Sequence, residues 1–360
     1  MSNARRPGLE TWRGERSGPP GRPAPKAPWP RWAGWAALLA LTAAAVVSVP
    51  GCSPREEGDA EGRDPAEAEP AAPSTFEIRE SEEGVEVLDG GQAVLFYQRA
   101  LKDHEGQFAR NNYVHPLMSL DGDVLTEDFP EDHRHQRGVF WAWHQLWDGG
   151  ERLGDGWILE DFTTTVDRVE TQVSEAAARL EAEVQWRSPR FRDGEPFVEE
   201  RTVLTVHPVA DDARAIDFEI ALRAVVPGIR IGGSEDPKGY GGFSVRVRMP
   251  DGLTFAGEGG PVTPEELQVE AGPWVDVSAP YGEDGARSGV AILVHPSSPG
   301  FPQPWILRQR GSMQNPVFPG REAVDVPADR ALVLRYRLVV HRGAASTADI
   351  QGWQTAYAAQ

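Results

Sequence analysis

From Phe76 onward the dominant hydrophobic period of this 360-residue chain is two. In Leu332-Val333-Leu334-Arg335-Tyr336-Arg337-Leu338 the even positions are apolar, and Arg335 and Arg337 point the other way. Successive side chains of a β-strand face opposite sides, so this run reads as a strand with one buried and one solvated face. Phe76–Arg79, Val85–Leu88 and Val94–Tyr97 read as short strands separated by turns rich in Glu, Asp and Gly. Val166 to Trp186 alternates loosely over a long reach. Phe197–Val206, Ala215–Val226, Phe243–Met249, Gly289–His295 and Ala331–Val340 alternate more clearly, and Asp193-Gly194 and Asp251-Gly252 signal turns. A helical period appears only near the end, over Thr347–Ala358 behind a Ser346 or Thr347 cap. No repeat of about 20–50 residues is visible, which argues against a propeller or solenoid. The expectation is an all-β fold: one large antiparallel β-sandwich over residues 76–360 with one short C-terminal helix.

The first 75 residues read as an address and a tether. Residues 1–31 hold seven basic and two acidic residues, and Trp32–Val49 is an 18-residue stretch without a charge. Val49-Pro50-Gly51-Cys52 follows, an imperfect lipobox because of Pro50. A basic segment, an apolar segment and a small-residue cleavage site form an export signal, and the sole cysteine stands where a bacterial lipoprotein is cleaved and acylated. Residues 1–52 therefore read as a lipoprotein-type signal ending at a lipidated Cys52; an uncleaved membrane anchor is the alternative. Residues 53–75, with seven acidic and two basic residues, several prolines and no aromatic, read as a disordered acidic linker. The expected location is the cell envelope, with the β domain outside the cytoplasm and the membrane engaged only through the N-terminal lipid.

Charge and cysteine content narrow the function. The chain carries 36 basic and 55 acidic residues, a net charge of −19. The first 75 residues hold nine of each sign, so the whole excess falls on residues 76–360. That argues against a nucleic-acid partner, which needs a positive footprint. One cysteine excludes an intrachain disulfide and a Cys-based zinc site.

Five of the eight histidines, His104, His115, His133, His135 and His144, fall within one short region. If Asp132-His133-Arg134-His135 is extended, His133 and His135 share a face. Such a pair can hold two positions of a divalent metal, or act as acid and base near neutral pH, with Asp132 fixing a tautomer. It also fits a solvated polar loop. A metal needs a third ligand, for which His115 and His144 are nearest in sequence; no other cofactor is expected. Val139–Trp147, read as one strand, puts Trp141, Trp143, Gln145 and Trp147 on one face, and Phe140, Ala142, His144 and Leu146 on the other. Trp143 beside His144 suits stacking against a sugar ring, and also suits a sandwich core. Lys238, in the glycine-rich run Gly232–Phe243, is a candidate for binding a carboxylate or hydroxyl, or a surface lysine. Trp274, Asp276 and Ser278 share a strand face, with Asp276 a candidate base or acceptor. His295-Pro296 and Asn315-Pro316 end strands or open loops, where functional groups often sit. There is no Gly-x-Ser-x-Gly, His-Glu-x-x-His or dinucleotide-type glycine motif.

Asp132-His133-Arg134-His135-Gln136-Arg137-Gly138, Lys238–Phe243, Trp274-Val275-Asp276, Val294-His295-Pro296 and Leu334–His341, in that order, resemble the bacterial family labelled "methane oxygenase PmoA", a domain of unknown function. The resemblance covers roughly residues 85–343. The family often has two adjacent histidines where this chain has His135-Gln136, a departure that weakens a three-His metal site in this loop. The label does not describe the chemistry. A methane monooxygenase subunit is built from several membrane-spanning helices, and past Cys52 this chain has no run of 18 apolar residues. Family members are commonly exported and associated with carbohydrate metabolism. The expected sandwich is similar to the galactose-mutarotase-like supersandwich, whose members work on sugars with His and carboxylate groups.

The expectation is a lipid-anchored enzyme acting on a sugar or glycan fragment as an epimerase, lyase or hydrolase. His133 and His135 would act as acid and base, His115 and His144 would complete a polar floor, and Trp143 and Trp274 would stack on the ring. Lys238 and Asp276 would bind hydroxyls or a carboxylate, with Arg137, His295 and Asn315 as further substrate-binding candidates. A non-catalytic carbohydrate-binding lipoprotein and a His-ligated metalloenzyme are the alternatives. The tether is directly testable: in a lipoprotein-processing bacterium, Cys52→Ala should abolish labelling of the chain by palmitate and leave its precursor uncleaved. Unchanged labelling of that variant would rule out Cys52 as the acylated residue.

Overall fold

The computed structural model describes residues 75–360. The signal over 1–52, with Cys52, and all but the last residue of the 53–75 linker lie outside the described residues.

Alternation is clearest in Ala178–Arg187, where Ala178, Leu180, Ala182, Val184 and Trp186 are buried and every intervening residue is partly exposed. This strand belongs to a nine-stranded antiparallel sheet. In spatial order the strands are Thr163–Val173, Ala178–Arg187, Pro196–Ala210, Ala213–Ala224, Leu332–Arg342, Arg287–Val294, Trp274–Pro280, Thr254–Gly257 and Gly260–Pro261. A six-stranded antiparallel sheet runs Phe76–Glu80, Gly84–Asp89, Gln92–Gln98, Tyr113–Leu117, Val139–Ala142 and Gly242–Val245. One buried cluster takes side chains from both sheets, among them Val85, Leu95, Trp141 and Phe243 from the smaller and Leu180, Leu204, Phe218 and Tyr336 from the larger. Phe243 stacks on Tyr336, ring centroids 4.4 Å apart, and lies edge-on to Phe218 at 5.2 Å. The fold is thus the expected all-β antiparallel sandwich. A third, four-stranded sheet includes Ile229–Gly232, Gln145–Asp148 and Glu151–Gly154. Among the described residues, no helix is long and apolar enough to cross a membrane.

The terminal helix spans Thr347–Ala358, as expected. Ser346 is its N-cap: its hydroxyl accepts from the Asp349 N–H while the Asp349 carboxylate accepts from the Ser346 N–H, a reciprocal capping box.

Four local expectations need correction. Val166–Trp186 is a hairpin, because Ser174 and Ala177 close a turn inside it. The strand expected over Phe243–Met249 stops at Val245. Val139–Trp147 is not one strand: Val139–Ala142 and Gln145–Asp148 belong to different sheets, and the chain breaks at Trp143-His144. Arg337 does not face solvent. It is 6 % exposed, donates to Asp217 at 2.5 and 2.8 Å, and packs over Tyr357 of the terminal helix, whose packing covers that stretch of the sheet.

A carboxylate lies between the sheets. Glu200 is 1 % exposed; its Oε1 accepts from Asn112, Trp141 and Thr202 at 2.7, 2.8 and 2.6 Å, and its Oε2 from Trp186 at 2.6 Å. Burial pushes its pKa up, and the four donors oppose that. Removing the carboxylate leaves four buried neutral donors without their acceptor, and an unsatisfied buried donor costs about 1–3 kcal/mol. Glu200→Ala is therefore expected to lose about that much stability in guanidinium unfolding, and Glu200→Gln less, because an amide keeps one acceptor oxygen. A Glu200→Ala variant as stable as the wild type would show that the sheets do not depend on this carboxylate.

Candidate active site

The break after Ala142 is built by side chains. Trp143 donates its Nε1–H to the Phe318 carbonyl at 2.9 Å, and Gln145 donates to the Gly233 and Arg321 carbonyls at 2.9 and 2.7 Å. Between these anchors His144 turns its ring toward Trp157 and Tyr240. It stacks on Trp157, centroids 5.3 Å apart and 20° from parallel, and meets Tyr240 edge-on at 5.0 Å. Its Nδ1 lies 2.8 Å from Asp155 Oδ2. The other Asp155 oxygen accepts the backbone N–H groups of Trp157 and Ile158 at 2.9 and 3.1 Å. A carboxylate accepts, so the neutral imidazole carries its proton on Nδ1 and keeps a lone pair on Nε2. The His144 side chain is 13 % exposed, and its buried Nε2 has no hydrogen-bond partner. Buried polar atoms are almost always satisfied, so this lone pair beside the cleft is a candidate base or acceptor.

His133 and His135 also reach this cleft, though not on a strand. Turns fold the segment: His133 N–H donates to the Pro130 carbonyl and Gln136 N–H to that of His133. The two rings still lie edge to face, 5.6 Å apart. The loop is held from below by Arg246, 3 % exposed, which donates to Glu127, Gln136 and Asp132 at 2.8, 3.1 and 2.8 Å. Trp157 donates its indole N–H to His135 Nε2 at 3.1 Å. Indole only donates, so His135 is neutral with its proton on Nδ1. Burial first, then the Arg110 charge and the two neighbouring histidines, hold its pKa down to about 4.

The glycine-rich run forms the facing wall. Its glycines are required by contact: a Cβ on Gly233 would lie 2.2 Å from the Gly239 carbonyl oxygen, and one on Gly241 would lie 2.9 Å from Gly233 Cα. This loop carries Lys238 and Tyr240 into the cleft. The cleft is open, about 330 Å³, and is completed by Gln136, Ile158, Ile306, Arg308, Arg310, Gly311, Ser312 and Met313. That size lies at the small end of the range for small-molecule sites, about 300–1,000 Å³.

His133, His135, His144 and Lys238 thus line one cleft; the other candidates do not. His115 bonds Thr126 at 3.0 Å and does not border the cleft. Arg137 is 0 % exposed and fully engaged by Asp128, the Lys102 and Phe108 carbonyls and the Tyr113 hydroxyl. Trp143 and Trp274 are core residues: Trp143 packs on Trp186 at 5.5 Å, and Trp274 bonds Gln351 beneath the terminal helix. Asp276 is buried, accepting from His341 at 2.9 Å and Ser278 at 2.6 Å. Asn315 is buried and pins the backbone of Gly241 and Phe243. His295 lines a separate groove with Asp217, Arg335 and Tyr357, its Nδ1 bonded to Ser297. These groups are occupied by the protein itself, which a strand-by-strand reading cannot see. Among the described residues, no group of three His, Cys, Asp or Glu is placed to hold a metal ion.

Sequence reasoning missed Asp155, Trp157, Tyr240 as a site residue, and the Arg308–Met313 loop. The signals were an Asp-Gly-Trp turn at 155–157 and an Arg-Gln-Arg-Gly-Ser run in an acidic chain.

Residues 84–354 match a family of unknown function (DUF6807). The chain belongs to that family. No curated protein matches it. Similar solved structures include a candidate mutarotase of Salmonella typhimurium, 10% identical over 77% of this chain and 96% of that one, TM-score 0.33. A candidate aldose 1-epimerase of Klebsiella pneumoniae is 9% identical over 79% and 84%, TM-score 0.36. An aldose epimerase homologue of C. elegans is 8% identical over 75% and 100%, TM-score 0.30. The family match carries no activity with it, so function rests on the site's own geometry.

The state of His135 has a measurable consequence. Its folded pKa of about 4 lies below the ordinary 6.5, so between those values the unfolded chain binds more protons. The stability it contributes is complete above about pH 6.5 and is lost as pH falls through 4. Replacing it should flatten that dependence by about 3 kcal/mol. Guanidinium unfolding of wild type and His135→Asn at neutral and acid pH measures the difference; equal slopes would mean that His135 titrates normally.

Proposed function

We propose that the chain is an exported, lipid-anchored enzyme that moves a proton on a small hydroxylated substrate, a sugar or glycan fragment, bound in the His144 cleft. The observation that carries this is the Asp155–His144 pair. Asp155 fixes the Nδ1–H tautomer and offsets charge that builds on the ring, which leaves Nε2 as a base with no other partner. Two backbone N–H groups hold Asp155 in place, so the pair needs no reorganisation when the proton moves. His135, neutral and donating only through Nδ1–H, serves as a hydrogen-bond donor to oxygen and not as the acid first expected of it. Tyr240 packs edge-on against His144, and because Nε2 is buried a neighbouring side chain must move for a ligand to reach it.

The cleft offers donors from Lys238 and Arg308, with Ile306 and Met313 as apolar surface. That mixture suits a ring bearing hydroxyls. The non-catalytic alternative relied on a tryptophan platform at Trp143 and Trp274. Both lie in the core, so it loses the feature that motivated it.

The test is deuterium exchange. Sugars and short glycans incubated with the protein in D₂O and followed by NMR should show exchange at a carbon-bound proton, or a new product. His144→Gln should slow this by about 10²–10⁴-fold while ligand-induced thermal stabilisation persists. Asp155→Asn should slow it as well, by allowing the wrong tautomer. Undiminished turnover in His144→Gln would remove the assigned base, and binding without exchange by any member of the panel would favour the non-catalytic reading.

A further inference from the structure

The lining of the cleft differs in charge from the protein around it. Residues 76–360 carry the full excess of 19 acidic residues, yet no Asp or Glu lines the cleft, whereas Lys238, Arg308 and Arg310 do. Elsewhere, half-buried or buried arginines are matched tightly to carboxylates: Arg201 to Glu181 at 2.5 Å, Arg223 to Glu199 at 2.6 Å, Arg214 to Asp89 at 2.8 Å and Arg337 to Asp217 at 2.5 Å. The cleft cations are not. Lys238 Nζ is 4.0 Å from Glu266, whose side chain is 85 % exposed. Arg310 is 3.7 Å from Asp251, and both side chains are solvated. Arg308 donates to the backbone carbonyls of Glu265, Glu266 and Leu307. Behind Trp157, buried Arg110 likewise donates to backbone carbonyls, those of Gly156 and Trp157.

Arg308 is also held in position before any ligand arrives. Gln314 bonds its backbone on both sides, N–H to Oε1 and Nε2 to C=O, each at 2.8 Å. The carbonyls then fix its guanidinium, so little rotamer entropy remains to be lost on binding. A half-buried guanidinium with Glu266 and Asp236 near it but no carboxylate hydrogen-bonded to it, beside an ammonium group, is suited to receive an anion. Phosphate sites usually add a helix N-terminus, and among the described residues the α-helix Thr347–Ala358 contributes nothing to the cleft.

We infer that the ligand is an acidic sugar, a uronic acid or a glycan ending in one, whose carboxylate lies against Arg308 and Lys238 while its ring faces His144. This rests on the site assigned under Proposed function and specifies its substrate class.

The test is calorimetric titration of the full chain with galacturonate and glucuronate, their neutral counterparts galactose and glucose, and galactose 6-sulfate, at low and physiological salt. The uronates should bind at least about tenfold more tightly than the neutral sugars, with an advantage that shrinks as salt rises. Lys238→Gln and Arg308→Lys should each erase most of that advantage, weakening uronate binding by a larger factor than neutral-sugar binding. Arg308→Lys keeps a charge and loses the fork, so it separates carboxylate recognition from simple attraction. Equal affinity for neutral and acidic sugars, or uronate binding untouched by both variants, would overturn the inference and leave the sugar site standing. Tighter binding of the sulfated sugar would overturn the carboxylate. Binding of no sugar at all would overturn the site reading itself.

Discussion

A carboxylate buried between two sheets is costly unless donors surround it, and Glu200 has four, three on Oε1 and one on Oε2, drawn from both sides. Trp141 comes from the six-stranded sheet; Trp186 and Thr202 come from the nine-stranded one. Asn112 adds a fourth bond and accepts in turn from the Tyr97 hydroxyl at 2.8 Å. Apolar packing between sheets tolerates small slides, because it has no direction. Four bonds to one carboxylate do not, so they set the register of one sheet against the other. Trp141 lies three residues before His144. The polar clamp in the core therefore fixes where the chain leaves the smaller sheet, and through that exit the position of the imidazole on the cleft wall.

From that exit outward, the site is a sequence of one-directional hydrogen bonds. Backbone N–H groups orient Asp155, Asp155 orients His144, and the Trp157 indole orients His135. Each donor has one acceptor it can reach, so each tautomer is determined. Two imidazoles within one cleft thus acquire different chemistry from their partners: His144 is left a free lone pair and His135 a free N–H. The pattern is the general one in which environment, not residue type, separates acid, base and donor roles.

The fold was largely legible because its main signal is local. A period of two survives in any strand with one covered face, and Ala178–Arg187 or the capped helix after Ser346 can be read without knowing what packs on them. What failed was every inference about the second face. Arg337 looks solvated in sequence, and it is covered because the last helix packs back over its strand. Trp143 and Trp274 have the spacing of a stacking platform, but a tryptophan on the buried face of a sheet has the same spacing. The site was half legible for the same reason. His133, His135, His144 and Lys238 announce themselves by residue type, whereas Asp155 and Arg308 become meaningful only through neighbours that distant loops supply. Asp276 and Arg137 were plausible by type and are excluded by partners just as distant in sequence.

Those exclusions bear on the charge of the cleft. Arg137, Arg214, Arg246 and Arg337 each meet a carboxylate, so they hold the framework together at little net charge. Arg308 is instead anchored through neutral carbonyls, which fix its position without cancelling its charge. The acidic excess of the protein raises the contrast. In an acidic domain, the lining of this cleft groups Lys238, Arg308 and Arg310 with no carboxylate among them, which favours an anion there over most of the surface. Partial desolvation strengthens that attraction, because the local dielectric is lower than that of water. The same lowering makes the half-buried Arg308 costly to keep charged, a cost that its carbonyl partners and the nearby Glu266 and Asp236 offset in part and that an anionic ligand would offset further.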